Sequence, residues 1–210
     1  GEFTAHATGI SFGGGCQWPG NIKISGEANK SSMNNLLQHP AMHRLVGFTN
    51  SMFNLFMHKT YVEYKNTLSE HLVQYPHLRS TSPKTVFAAT TINFGTHVIT
   101  PPHLDAGNLV HSWCSDTALG EYDPDKGGHL ILWPFKLAIH FPPGFTILFP
   151  SALITHLNIS ILPHKQRCSI VQYSASGLFQ WRYNGWCSDK DLIVKSSKAD
   201  LLKRKEEQCH

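Results

Sequence analysis

A chain of 210 residues, 41% hydrophobic and 11% aromatic, has enough apolar matter for one sizeable core and is too apolar to be a disordered tail. No run approaches the roughly 18 consecutive apolar residues that a membrane-spanning helix needs, and the N-terminus lacks the basic-then-apolar layout of a secretory leader, so no membrane partner and no secretion are expected. The net charge of +4 permits a polyanionic partner without requiring one.

The five cysteines (Cys16, Cys114, Cys168, Cys187 and Cys209) are odd in number, scattered, and form no C-x-x-C pair. That argues against a disulfide framework or a structural zinc site and points to a reducing interior, nuclear or cytoplasmic. With 14 histidines in the chain, any metal-ligand assignment has to rest on spacing.

Residues 1–30, rich in Gly, Ser and Asn (Gly13-Gly14-Gly15, then Pro19-Gly20), read as loop. From Ser31 the pattern turns helical, with Pro40 separating two helices. Leu45, Phe48, Met52, Leu55, Phe56, Tyr61, Tyr64, Leu68 and Leu72 recur every three or four residues. They predict an amphipathic helical region ending near Tyr75-Pro76, its aromatic stripe turned to the core. After Pro83 the texture becomes short β-rich runs: Val86–Phe94, His97–Thr100, Trp113–Leu119, His129–Trp133, Lys136–Phe141, Phe145–Phe149, Ile154–Ile159 and Arg167–Tyr173. Turn signals separate them, including Asp123-Pro124-Asp125, whose acidic pair reads as turn chemistry and not as a ligand pair. Eight short strands at this spacing predict a sandwich or jelly roll. A charged tail over 187–210 ends in a predicted exposed helix, Lys198–Gln208. The chain reads as one domain, with a helical part over 31–80 packed against a jelly-roll core over 84–186.

His103-Leu104-Asp105 places two ligand-type side chains two residues apart, on one face if the strand is extended. A further histidine, His156, completes a two-histidine-one-carboxylate set that leaves positions open on Fe(II) for oxygen and an organic co-substrate. His156 is followed after ten residues by Arg167-Cys168-Ser169. If His156 and Arg167 lie on neighbouring strands, the guanidinium fork and the serine hydroxyl can hold the far carboxylate of an iron-chelating dicarboxylate.

These residues resemble the Fe(II)/2-oxoglutarate dioxygenase superfamily and, more narrowly, fungal members of the TET/JBP group, which oxidise 5-methylpyrimidines. The resemblance runs from about Gly9 to Trp186. It is carried by Val86–Gly95 (VFAATTINFG), the run from His103 to Leu109 (HLDAGNL), Trp113-Cys114, Gly127–Trp133 (GGHLILW), Phe141–Ser151 (FPPGFTILFPS), Gln172-Tyr173 and Gly177–Phe179 with Trp181. TET enzymes carry H-x-D-x-x-N, whose Asn contacts the flipped base, and Asn108 matches it. The interval H-x10-R-x-S is shorter than the TET one and resembles other branches of the superfamily.

The resemblance implies a double-stranded β-helix, mainly β with N-terminal helices. It implies iron held by His103, Asp105 and His156, which would also be the catalytic set. Arg167 and Ser169 would bind 2-oxoglutarate, with Asn93 at its 2-oxo-acid end, and O2 would be the oxidant with ascorbate as reductant. Asn108, Trp113 and His129, together with Trp133, are the expected substrate-facing residues, and a monomer acting on DNA with a methylated base is the expected arrangement. A hydroxylase of a protein side chain or small molecule is the alternative on the same iron chemistry, and a non-catalytic binding module is a third reading.

Overall fold

The computed structural model describes residues 4–95, 98–197, 200 and 204. Three helices follow a short N-terminal hairpin: α1 (Glu27–Gln38), α2 (Pro40–Phe56) and α3 (His58–Gln74). Pro40 opens α2 at a position where its missing N–H costs nothing, and His39 Nδ1 accepts from the Ala41 amide. Met42, Val46, Thr49 and Phe53 bury one face of α2, while Tyr64, Leu68 and His71 bury one face of α3. The break between them falls at Met57, whose extended-side backbone (φ −137°, ψ 54°) serves both helix ends. No proline or glycine marks it, so the predicted helical region appeared continuous there.

Among the described residues, ten strands form two antiparallel sheets. The larger has the order β2-β1-β3-β10-β5-β8, built from β1 (Thr4–Ser11), β2 (Gly20–Asn21), β3 (Ala89–Phe94), β5 (Cys114–Glu121), β8 (Thr146–Phe149) and β10 (Gln166–Tyr173). The smaller has the order β4-β9-β6-β7, from β4 (Thr100–His103), β6 (Leu130–Leu132), β7 (Leu137–Ile139) and β9 (His156–Asn158). The expected jelly roll is therefore present, and the helices cover the outer face of the larger sheet as expected. There Met33, Leu37, Met42 and Val46 pack on Ile92 and Ile170. Each such burial contributes about 1.5–3 kcal/mol. Thr49 Oγ1 donates to Gln172 Oε1 at 2.9 Å and ties α2 to β10. Between the sheets lies a second core of Cys114, Ala118, Leu130, Leu132, Phe141 and Phe149.

Three elements correct the sequence reading. The segment read as loop over 1–30 contains β1, which pairs with β3 from Thr4↔Phe94 to Gly9↔Ala89. Gly9 sits there at φ 105°, and a Cβ would come within 2.3 Å of the Ala88 carbonyl oxygen, so the glycine is what lets this strand approach. After β10 the chain forms α4 (Ser176–Tyr183) and α5 (Asp189–Lys195), neither of them predicted. Apart from Asp200 and Arg204, the predicted helix Lys198–Gln208 lies outside the described residues, as does His97 of the predicted strand His97–Thr100. Among the described residues, no helix is long and apolar enough to cross a membrane, and Cys16, Cys114, Cys168 and Cys187 are free thiols.

Candidate metal centre and its cavity

β4 and β9 lie side by side, and their register sets His103 opposite His156. On the far side of β9, Leu132 of β6 stands opposite His156, and Leu137 of β7 stands opposite Leu132. One row thus crosses the end of the smaller sheet: His103, His156, Leu132, Leu137. Asp105 departs from the sequence expectation. β4 stops at His103, and Asp105 belongs to the turn beyond it, where its amide donates to the Ser151 carbonyl (3.1 Å) and its carbonyl accepts from the Asn108 amide (2.9 Å). The turn, not a strand repeat, brings the carboxylate back beside the imidazole.

The result is compact. His103 Nε2 stands 3.7 Å from Asp105 Oδ1, and the ligand-type atoms of His103, Asp105 and His156 all lie within 4.8 Å of one another. Among the described residues no other group of three or more His, Cys, Asp or Glu does this. Each imidazole has its Nδ1 2.8 Å from a backbone carbonyl two residues back, Pro101 for His103 and Ile154 for His156. A carbonyl only accepts, so Nδ1 carries a proton in both rings and Nε2 is the nitrogen left to face a metal. Burial holds the His156 pKa below the usual histidine value, and the neighbouring His103 pushes the same way against the Ile154 carbonyl and Asp105. Two imidazoles with one carboxylate are a donor set that fits Fe(II).

These residues lie at one side of a cavity of about 470 Å³. Its opposite wall comes from alternate positions of β3, β10 and β5: Thr91, Asn93, Ser169, Tyr173 and Asp116. Asn93 Nδ2 donates to Ser169 Oγ at 2.9 Å, a contact fixed by their direct pairing across β3 and β10. Thr91 Oγ1 donates to the Tyr173 hydroxyl at 3.3 Å. Arg167, two residues before Ser169 and on the same face of β10, is sealed beneath the cavity with 1% exposure. Its Nη1 donates to the Val98 carbonyl (3.3 Å), and its Nε has no hydrogen-bond partner among the described residues. A buried guanidinium with an unsatisfied donor is costly, and a carboxylate-bearing ligand would relieve it.

Asp116 was not foreseen from the sequence. It lies on β5, lines the cavity, and has an Oδ1 closed off from solvent without a partner. Burial pushes its carboxyl up to about 6; the Arg167 guanidinium pulls it down, and Asp105 raises it further. A carboxyl whose folded pKa lies above its unfolded value binds its proton more tightly when folded. Its charge therefore weakens the fold as pH rises from the ordinary 3.8 through about 6. In metal-free protein, Asp116→Asn is expected to raise stability at pH 7.5 by about 1–3 kcal/mol, solvent in the cavity screening part of the full effect. Below about pH 4 the gain should vanish. Urea unfolding at both pH values measures this, and an unchanged midpoint at pH 7.5 would contradict it.

Asn108 lines the cavity and is buried, its Nδ2 donating over a long 3.4 Å to Ser151 Oγ. Trp113 and His129 do not line it. Cys114 and Asp116 turn to the cavity, so Trp113, of the opposite parity, packs against the cluster of Phe53, Tyr64 and Phe87. Leu130 turns inward likewise and leaves His129 outside, its ring edge-on to His140 at 4.6 Å. The acidic pair of residues 123 and 125 forms the expected turn, the Asp125 amide donating to Asp123 Oδ1 at 3.0 Å.

No family model and no curated protein matches the chain. Among solved structures it is similar to NgTET1 in complex with 5mC DNA, with a TM-score of 0.61 and 17% identity over 82% of this chain and 61% of that one. A 2OG-Fe(II) oxygenase family oxidoreductase from Burkholderia pseudomallei superposes with a TM-score of 0.44 (16% identity, 81% of this chain, 67% of that one). The viral collagen prolyl hydroxylase of Paramecium Bursaria Chlorella virus-1 gives 0.33 (12% identity, 41% and 57%), and neither of these two overlaps is close enough to add to the first. The chain spans less than two thirds of the NgTET1 chain. The likeness to NgTET1 shows that the two chains share the double-stranded β-helix fold.

Proposed function

We propose that this chain is an Fe(II)- and 2-oxoglutarate-dependent dioxygenase that oxidises a methylated base in DNA. The observation that carries the reading is a His-Asp-His donor set on one wall of the cavity with Ser169 on the other, and beneath Ser169, two residues away on the same face of β10, a buried guanidinium with an unused donor. The likeness to a protein solved with 5mC DNA supports the base as substrate.

In this reading His103 Nε2, Asp105 and His156 Nε2 hold the metal, and the Pro101 and Ile154 carbonyls fix both rings in the ligating tautomer. Bound iron supplies the oxidative power, coupling decarboxylation of 2-oxoglutarate by O2 to hydroxylation of a C–H bond, with ascorbate as reductant. Arg167 and Ser169 receive the distal carboxylate, and Asn93 both orients the Ser169 hydroxyl and faces the co-substrate. Asp116 competes for the same guanidinium, and its reluctance to ionise softens that competition. Leu130 and Phe149 make the wall beside the metal ligands apolar and limit water there. A base inside a duplex cannot bring its methyl carbon to a metal in a cavity, so it must be extruded, and Asn108 is placed to bond its edge.

Incubation of the chain with methylated or unmethylated duplex, Fe(II), ascorbate and 2-oxoglutarate, followed by mass spectrometry of the nucleosides, tests this. Oxidised nucleoside together with succinate is expected from the methylated duplex alone. Consumption of 2-oxoglutarate without an oxidised nucleoside would move the substrate to a protein side chain or small molecule, and no consumption at all would leave a binding module. Asn108→Ala is expected to lower kcat/KM on methylated oligonucleotide about tenfold to a hundredfold, in line with loss of one buried hydrogen bond to substrate. Equal kcat/KM in the variant and the wild type would remove Asn108 from base reading.

A further inference from the structure

The hairpin joining β6 to β7 closes on a single 3-10 turn, Trp133–Phe135, at the end of the smaller sheet where His103 and His156 stand in a row with Leu132 and Leu137. The Trp133 amide donates to the Thr155 carbonyl (2.9 Å), one residue from His156, so the hairpin tip is anchored at the metal end of the sheet. Trp133 is 63% exposed and Phe135 64%, and Leu104, between the two ligand-type side chains His103 and Asp105, is 47% exposed. Neither aromatic belongs to the core between the sheets. Lys136 ends the turn at φ 52°, a left-handed backbone that asparagine or glycine holds more easily.

The charge around this tip is one-sided. From Lys126 to Ser188, the stretch that builds β6 to β10 and α4, there is no Asp or Glu. Lys126 and Lys165 pair with Asp123 and Glu121, which lie outside that stretch, whereas among the described residues no carboxylate pairs with Lys136. A cation and two solvent-facing aromatic rings therefore stand together at the metal end of the smaller sheet, whose four strands carry no Asp or Glu; the nearby carboxylates of Asp105 and Asp125 sit against His103 and His140.

We infer that the tip Trp133-Pro134-Phe135-Lys136 is a nucleic-acid grip. Trp133 and Phe135 stack on bases next to the one drawn into the cavity, and Lys136 meets the phosphate backbone. This rests on the reading of the cavity's substrate as a DNA base. Stacking on an aromatic face tolerates any base, and a ring beside an extruded base can fill the gap it leaves. A partner protein would meet the same rings, but an unpaired lysine on a sheet whose own strands carry no carboxylate favours a phosphate chain.

The test is fluorescence anisotropy of labelled methylated oligonucleotides, single- and double-stranded, with the full chain loaded with Mn(II) and 2-oxoglutarate so that no turnover occurs. Trp133→Ala is expected to weaken binding about tenfold, which is the loss of one base–aromatic stack, and Phe135→Ala to weaken it less. Lys136→Asn, which keeps the left-handed backbone, is expected to lower the salt slope by about one. Unchanged thermal midpoints and 2-oxoglutarate binding would show that the variants are folded. If the wild type binds and oxidises the oligonucleotide while Trp133→Ala and Phe135→Ala bind as tightly, the grip is wrong and the proposed substrate stands. If the wild type neither binds nor oxidises any oligonucleotide, the DNA reading itself fails, and the tip's occupant is then a protein.

Discussion

Replacing Asp105 or His103 with alanine is expected to remove metal-dependent turnover while leaving the chain folded. Both side chains are about a third exposed (31% and 36%), and neither contributes to a hydrophobic cluster, so truncation costs little packing. His156 is the poorer choice for the experiment. It is buried and its ring lies edge-on to Phe149 at 4.9 Å, so its loss would mix a cavity with the loss of a ligand. With two donors left, the remaining set has lost a third of its ligating atoms, and succinate formation should fall at least about a thousandfold, on the scale seen when a catalytic group is deleted. Thermal unfolding of metal-free protein should be unchanged within about 0.5 kcal/mol, as for surface substitutions. Full activity in His103→Ala would refute the assignment.

Arg167 has the next largest expected effect, and it has two parts. Losing a charge-assisted contact to the 2-oxoglutarate carboxylate costs about 2–5 kcal/mol, so the KM for 2-oxoglutarate should rise well over tenfold. Arg167 is also fully buried, and truncating so large a side chain leaves a cavity that costs about 2–5 kcal/mol of stability. The two parts separate by choice of variant. Arg167→Lys keeps the charge and loses the fork, so the KM should rise while stability stays near wild type. Arg182 offers no substitute, because its Nε and Nη2 already donate as a fork to the Glu70 carboxylate, at 2.7 and 2.6 Å. A KM within twofold of wild type in Arg167→Lys would contradict the role.

Spacing made the candidate site legible where two residues share a face of one strand or neighbouring strands. Arg167 and Ser169, two apart on β10, point the same way, and Asn93 reaches Ser169 because the strands pair there. Parity also explains what was misplaced. Trp113 and His129 are aromatic and near the motif, but each is one residue out of phase with a cavity-facing neighbour, Cys114 and Leu130. Asp105 was placed on a strand because H-x-D fits an extended repeat, and the turn that carries it depends on long-range bonds to Ser151. Asp116 was invisible because an aspartate in a strand reads as solvent-facing until the partner sheet is known. β1 was hidden by the glycines around it, although Gly9 is what makes its approach to Ala88 possible.

Titration calorimetry of the metal-free chain with Mn(II), with and without 2-oxoglutarate, tests the central claim most directly. The account predicts one metal per chain, tightened by 2-oxoglutarate and reciprocally tightening it, because the co-substrate binds both the metal and Arg167. Binding should be lost in Asp105→Ala. In Arg167→Lys the metal should still bind, with its coupling to 2-oxoglutarate reduced. No metal binding in the wild type, or metal binding unaffected by Asp105→Ala, would contradict the account.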